Sequence, residues 1–205
     1  SVFCLFFFLA TGIYWAKSVG DYAFSMGGIW AAAPAGWVAF VVFYALIAWL
    51  TKWSVVGRLR PGRFRLLGKT HLRWWIGNLV LSFGQMFVFF PFRDTKIALF
   101  YFRLLGAKVH SGATLRISGH NQSFSLIDAD LLRVDDRSYV RPGALVQCHL
   151  FVDESLVLAG VHLARNSVVW YRGIAEPGTS IGFNSVLKPH SVLAMGQKIE
   201  AGLEG

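Results

Sequence analysis

From Phe151 to Leu203 an apolar residue recurs at every sixth position: Phe151, Val157, Leu163, Val169, Ala175, Ile181, Leu187, Leu193 and Ile199. Four positions after each stand Ser155, Val161, Ser167, Gly173, Thr179, Ser185, Ser191, Gln197 and Leu203, which are mostly small. An α-helix would repeat near 3.6 residues, whereas a hexad predicts a left-handed parallel β-helix, in which three short strands make one coil and the apolar residue fills the core. Coils of about 18 residues stack on one another, as in other solenoids.

Stacking turns the sequence into columns. Two columns of corner residues read Gly160, Gly178, Gly196 and Asn166, Asn184, Gly202. Both suit a left-handed corner, since Gly carries no Cβ and Asn tolerates positive φ. The third column reads Glu154, Arg172, His190. It is either a charge ladder along one edge or an acid, a cation and an imidazole aligned for chemistry. Upstream, Val109 and Leu115 begin the beat with Gly112 at a corner, and Val134, Val140 and Val146 continue it with Gly143 at a corner. Val134, Val140 and Val146 run one residue out of phase with the later hexads. A slip is therefore expected between Val146 and Phe151, around Cys148 and His149, where a bend can re-aim side chains.

The first half has a different pattern. Residues 1–16 are apolar and uncharged, a Gly/Ala/Pro-containing connection is expected from about Lys17 to Pro34, and residues 35–51 form a second apolar run flanked by Trp37 and Trp49. Both runs read as spanning helices. The run 74–92 is diluted by Gly77, Asn78, Gly84 and Gln85 and has cations at both ends, which favours an interfacial or re-entrant helix over a third span. Residues 97–108 read as a connecting helix ending near Gly106. The expected organisation is a membrane region over 1–108 and the β-helix over 109–205. Ser1 opens directly on an apolar run, so the sequence is expected to be a piece of a longer chain, cut within or just before a membrane helix.

Charge sharpens this division. The chain has 205 residues, a formal net charge of +9 and a mean hydropathy of +0.49. Residues 1–105 hold eleven Lys and Arg against Asp21 and Asp94, while residues 106–205 hold nine of each sign. Seven cations without an acid lie between Lys52 and Arg73, which places that loop and the β-helix on the cytoplasmic side by the positive-inside rule. Because apolar segments bracket the cations, an anionic lipid bilayer is the expected partner rather than nucleic acid. Cys4 and Cys148 show no pairing pattern.

Two stretches resemble one family. TKWSVVGRLRPGRFRLLGKTHLRWW (51–75) is similar to the segment that follows a membrane helix pair in the C-terminal regions of ε-poly-lysine-synthetase-like proteins of the nonribosomal-peptide-synthetase type. FRLLGAKV (102–109) and DADLLRVDDRSYVRPGALV (128–146) resemble the start of the same family's hexapeptide-repeat domain. The resemblance implies one membrane-plus-repeat unit that forms amide bonds from an aminoacyl or acyl thioester. It further implies a phosphopantetheine or CoA thioester donor, no covalently bound cofactor, and assembly with other β-helix units as a trimer or pseudo-trimer. His110 and Asp135–Asp136 depart from the family's repeat pattern.

Acyl transfer to an amine needs a base and oxyanion donors. The candidate bases are His149 at the slip, His162 at an outward position, and His190 with Arg172 and Glu154 in its column. His110, His120 and membrane-proximal His71 rank below them, and Cys148 is discounted because neighbours on a strand face opposite ways. A γ-class carbonic anhydrase is a weaker alternative: its zinc histidines sit four apart, whereas His149 and His162 lie thirteen apart. No metal ligand set is expected. The non-enzymatic alternative is a membrane-anchored scaffold or trimerisation module.

Overall fold

The computed structural model describes residues 2–84, 92, 94–116, 125–203 and 205. Helices α1 (Val2–Gly27) and α2 (Ile29–Thr51) are parted only by Gly28, at φ +68°. The connection expected over Lys17–Pro34 is therefore helical. Lys17 and Asp21 bond one turn apart at 2.6 Å, and Pro34 lies inside α2. The two helices fold back on each other, and the contact relies on small residues: a Cβ on Gly36 would lie 3.0 Å from the Ala16 carbonyl. A π-helical turn (Lys52–Val56) extends α2. Together Ile29–Val56 reaches a mean hydropathy of 1.9 over its most apolar stretch and is long and apolar enough to cross a membrane, the one such helix among the described residues.

The basic segment that follows is tied into the rest of the fold. It supplies strand β1 (Gly62–Arg65) and helix α3 (Lys69–Gly84), and α4 (Lys96–Leu104) comes after it. The end of the 74–92 run, residues 85–91, lies outside the described residues. Tyr44 donates to the Val80 carbonyl and Tyr101 to that of Ala45, each at 3.0 Å, which joins α2 to α3 and α4.

The remaining strands are short. They are β2 (Lys108–Val109), β3 (Thr114–Leu115), β4 (Leu132–Val134), β5 (Tyr139–Val140), β6 (Leu145–Val146), β7 (His149–Val152), β8 (Ser155–Leu158) and β9 (Val161–Leu163), then β10 (Val168–Val169), β11 (Ile174–Ala175), β12 (Ser180–Ile181), β13 (Val186–Leu187), β14 (Val192–Leu193) and β15 (Lys198–Ile199). The expectation of a single left-handed β-helix over 109–205 is overturned. The strands instead form separate small sheets: parallel β13-β10-β5-β3, β14-β11-β6 and β15-β12-β9-β4-β2, plus an antiparallel β1-β8-β7.

The physical reason lies in the register. Later strands pair 18 residues apart, as in Val168 with Val186 and Ser180 with Lys198. Earlier ones pair 29 apart, as in Arg133 with His162 and Tyr139 with Val168, because the β7–β8 hairpin is inserted between them. That hairpin is the slip. Its ladder is antiparallel, and β1 adds to it with Phe64 opposite Leu156. Phe151 is thus half exposed instead of filling a core, while Leu156 and Leu158 are buried.

Beyond the hairpin the six-residue beat is a burial pattern: Leu163, Val169, Ala175, Ile181 and Leu187 are at most 1% exposed. Burying each of the larger side chains contributes about 1.5–3 kcal/mol. The corners Asn166, Arg172, Gly178, Asn184, His190, Gly196 and Gly202 all take positive φ, whereas Gly112 and Gly160 do not. The apolar core is continuous from Ala48, Val56 and Trp74 through Phe102 and Leu132 to Ile199.

Candidate active site

Just before β4 the chain turns through a short 3-10 segment, Ala129–Leu131, preceded by Asp128. Asp128 and Asp130, two residues apart, both carry their carboxylates into the interface with the helices. Asp130 Oδ1 lies 3.0 Å from Lys52 Nζ and its Oδ2 accepts the Leu59 N–H at 2.5 Å, while Lys52 also donates to the Ile127 carbonyl at 2.7 Å. Lys52 is fully buried, and burial raises the Asp130 carboxyl against the opposing pull of the Lys52 ammonium. Such a pair locks the 3-10 turn to the end of α2.

Asp128 is 1% exposed, and both of its oxygens are engaged. Oδ1 accepts the Trp74 indole N–H at 2.6 Å, and Oδ2 is hydrogen-bonded to His149 Nδ1. A carboxylate only accepts, so His149 carries a proton on Nδ1, and in the neutral ring Nε2 is the lone-pair nitrogen. The His149 side chain is 19% exposed, which leaves the ring reachable from solvent.

Four rings close around this point. Trp74 lies 4.8 Å from His149 and 5.7 Å from Phe151, and His71 lies 6.4 Å from Trp74 and 6.1 Å from Phe151, centroid to centroid. His71 Nδ1 accepts the Leu67 N–H at 3.1 Å, so in the neutral ring Nε2 carries the proton. Leu67 makes that bond from the left-handed region, at φ +63°, a conformation of about 1–2 kcal/mol strain for such a residue. The fold thus sets two imidazoles beside the same aromatic pair in opposite tautomers. Glycine brings α3 this close: a Cβ on Gly77 would lie 2.6 Å from Ile127 Cδ1 and nearer still to Val56.

The other sequence candidates lie elsewhere. His162 sits on β9 beside Arg133, and its Nε2 is 2.9 Å from Asp135 Oδ2, with Arg133 Nε 3.1 Å from Oδ1. Burial pushes the Asp135 carboxyl up, but the bonds from His162 and Arg133 outweigh it and hold it below the usual range. His110 Nδ1 lies 2.9 Å from Asp136 Oδ1 nearby.

Arg172 and His190 stay in one column, but Glu154 leaves it. Leu145, Ile174 and Val192 are in register, so Gly143 precedes Arg172, and Glu154 sits in the β7–β8 turn at φ +55°. The hairpin insertion displaced it. His190 and Arg172 are exposed and contact the Tyr171 ring at 5.9 and 5.2 Å. His120 lies outside the described residues. Cys148 is a buried free thiol that burial pushes well above its ordinary pKa, so it is no nucleophile at neutral pH. Among the described residues no three His, Cys, Asp or Glu side chains converge to hold a metal ion.

Sequence reasoning singled out His149 at the register slip and passed over its contacts Asp128 and Trp74, and ranked the neighbouring His71 low. The available signal was the DAD triplet: acids at i and i+2 beside an apolar run, in a segment otherwise due to be core. No family model matches the chain, and no curated protein matches it either.

Proposed function

We propose that the chain is a membrane-anchored acyl-transfer unit that forms an amide from an acyl or aminoacyl thioester, with His149 as general base. The observation carrying this reading is the buried Asp128 carboxylate, bonded to Trp74 on one oxygen and to His149 Nδ1 on the other. An orienting carboxylate behind an imidazole fixes the tautomer whose free nitrogen takes a proton.

In the reaction, the nitrogen of a neutral amine attacks the thioester carbonyl carbon, a C–N bond forms, and the carbonyl π pair moves to oxygen. His149 Nε2 takes the amine proton. The His71 Nε2–H donates a hydrogen bond to the developing oxyanion. The C–S bond then breaks with its pair going to sulfur, which receives the proton back from His149. Amide and thiol are the products. A carrier-bound phosphopantetheine or CoA would present the thioester.

The membrane arrangement follows the same logic. Ile29–Val56 anchors the chain, and β1, from the basic segment, pairs with β8. The parallel sheets then lie on the side of that segment, which the positive-inside rule makes cytoplasmic.

The test is thioester-dependent amide formation by the purified full chain in a bilayer. His149→Ala is expected to lower the rate at least about a hundredfold, the scale of losing a general base. Unchanged rates in His149→Ala, His162→Ala and His190→Ala would overturn the acyl-transfer reading and leave a non-catalytic scaffold.

A further inference from the structure

A second concave site lies on the adjoining side of α3. Arg58, Arg60 and Arg73, with Thr70 and Phe64, line a cavity of about 200 Å³. Their convergence has a structural cause. Leu59 is buried with its N–H bonded to Asp130, which anchors the middle of the Arg58–Arg60 stretch, and β1 is held by its ladder to β8. Arg73 and Thr70 come from the first turns of α3, three positions apart and therefore on one face.

Three other arginines have carboxylate partners. Arg63 is paired with Asp153, Arg133 with Asp135 and Arg137 with Asp136. Among the described residues, none of Arg58, Arg60 and Arg73 has a carboxylate within ion-pair distance. Three guanidiniums held around one small cavity repel one another until an anion sits between them. The α3 start adds to this field, with no acid in its first turn and its first N–H groups lacking intrahelical acceptors.

We propose that this cavity binds a phosphate ester, gripped by Arg58, Arg60 and Arg73. Guanidinium forks match phosphate oxygens in pairs, and Thr70 adds a hydroxyl donor. The chemistry has two sources: the phosphate of a pantetheine-type thioester donor, or the headgroup of an anionic lipid at the mouth of the anchor helix. The donor form rests on the acyl-transfer reading and fits its layout. Thr70 and Arg73 line the cavity, while Trp74 packs on His149 and His71 stacks on Trp74, each one residue on, so the phosphate and the reacting carbonyl would bind to adjacent faces of one helix turn.

The experiment uses the full chain in discs of zwitterionic lipid and titrates 4′-phosphopantetheine, pantetheine and inorganic phosphate by calorimetry. In parallel, native mass spectrometry counts phosphatidic acid retained from mixed-lipid discs. For the donor source, phosphopantetheine binds saturably, pantetheine does not, and Arg73→Gln or Arg58→Gln weakens binding roughly ten- to hundredfold, the worth of one charge-assisted bond. For the lipid source, phosphatidic acid is retained one per chain by the wild type and lost in Arg58→Gln/Arg60→Gln/Arg73→Gln. Pantetheine binding as tightly as its phosphate, or retention and titration both unchanged in the triple variant, would overturn the site. Circular dichroism confirms that the variants, exposed on the surface, keep their fold. If the arginine variants bind normally while His149→Ala abolishes amide formation, the cavity assignment fails and the acyl-transfer reading stands; unchanged rates in His149→Ala, His162→Ala and His190→Ala with arginine-dependent phosphate binding give the reverse.

Discussion

Within nine residues the chain places two pairs of aspartates, Asp128 with Asp130 and Asp135 with Asp136, and all four meet a histidine or a lysine, in quite different surroundings. Asp128 and Asp130 face the helices and are almost wholly buried; Asp135 and Asp136 sit on the sheet surface with about a third of each side chain exposed. His149 and His162 each hydrogen-bond one aspartate, yet only the first pair is sealed by an indole donor and an aromatic wall. The lesson is that a His–Asp contact acquires chemical meaning from what surrounds the carboxylate. Water can replace the partner of Asp135 but not that of Asp128.

The contrast should appear first in stability. Asp130→Ala strands the Lys52 ammonium in the core, and chemical denaturation is expected to show a loss of about 3–5 kcal/mol. A loss below about 1 kcal/mol would mean the two aspartate pairs do not differ as described. Trp74→Phe keeps the ring but removes the donor to Asp128 Oδ1. It should cost about 1–3 kcal/mol, the penalty of an unsatisfied buried acceptor. Asp135→Asn should change stability by less than about 1 kcal/mol.

The surface pair also predicts a pH dependence. The folded-state pKa of Asp135 lies below its unfolded value. Its contribution is therefore fully present above the unfolded value of about 3.9 and fades as pH falls through the lower folded value. Wild type and Asp135→Asn should differ slightly at neutral pH and converge in acid. A gap that widens toward low pH would contradict the assignment.

How much of this was legible in the sequence depended on whether a residue's role is local. The hexads from Leu163 to Ile199 were readable because each buried position repeats in one dimension. Phe151 and Val157 share the beat without sharing a face: they lie on opposite strands of the hairpin, whose register sets Phe151 opposite Leu156 and Val157 opposite Leu150. Glu154 was misplaced by the same hairpin. Lys52 read as one more cation of a basic loop, because its burial depends on Asp130, 78 positions later. Gly77 looked like a diluent of an apolar run, whereas it is where Ile127 approaches α3. His149 could be singled out because a register slip is a local signal, whereas the contacts of Asp128 come from α3 and β7 and leave no local mark.

The central claim is that Asp128 acts through His149. It is tested most directly by a double-mutant cycle on thioester-dependent amide formation, using Asp128→Asn, His149→Ala and the pair. In Asp128→Asn the amide oxygen would accept from Trp74 and its NH₂ would face His149 Nδ1, which moves the ring proton to Nε2 and removes the base. Each single variant should fall about a hundredfold or more, and the double variant should fall no further than the weaker single, as for residues acting as one unit. Multiplying losses, or an Asp128→Asn variant as active as wild type, would contradict it.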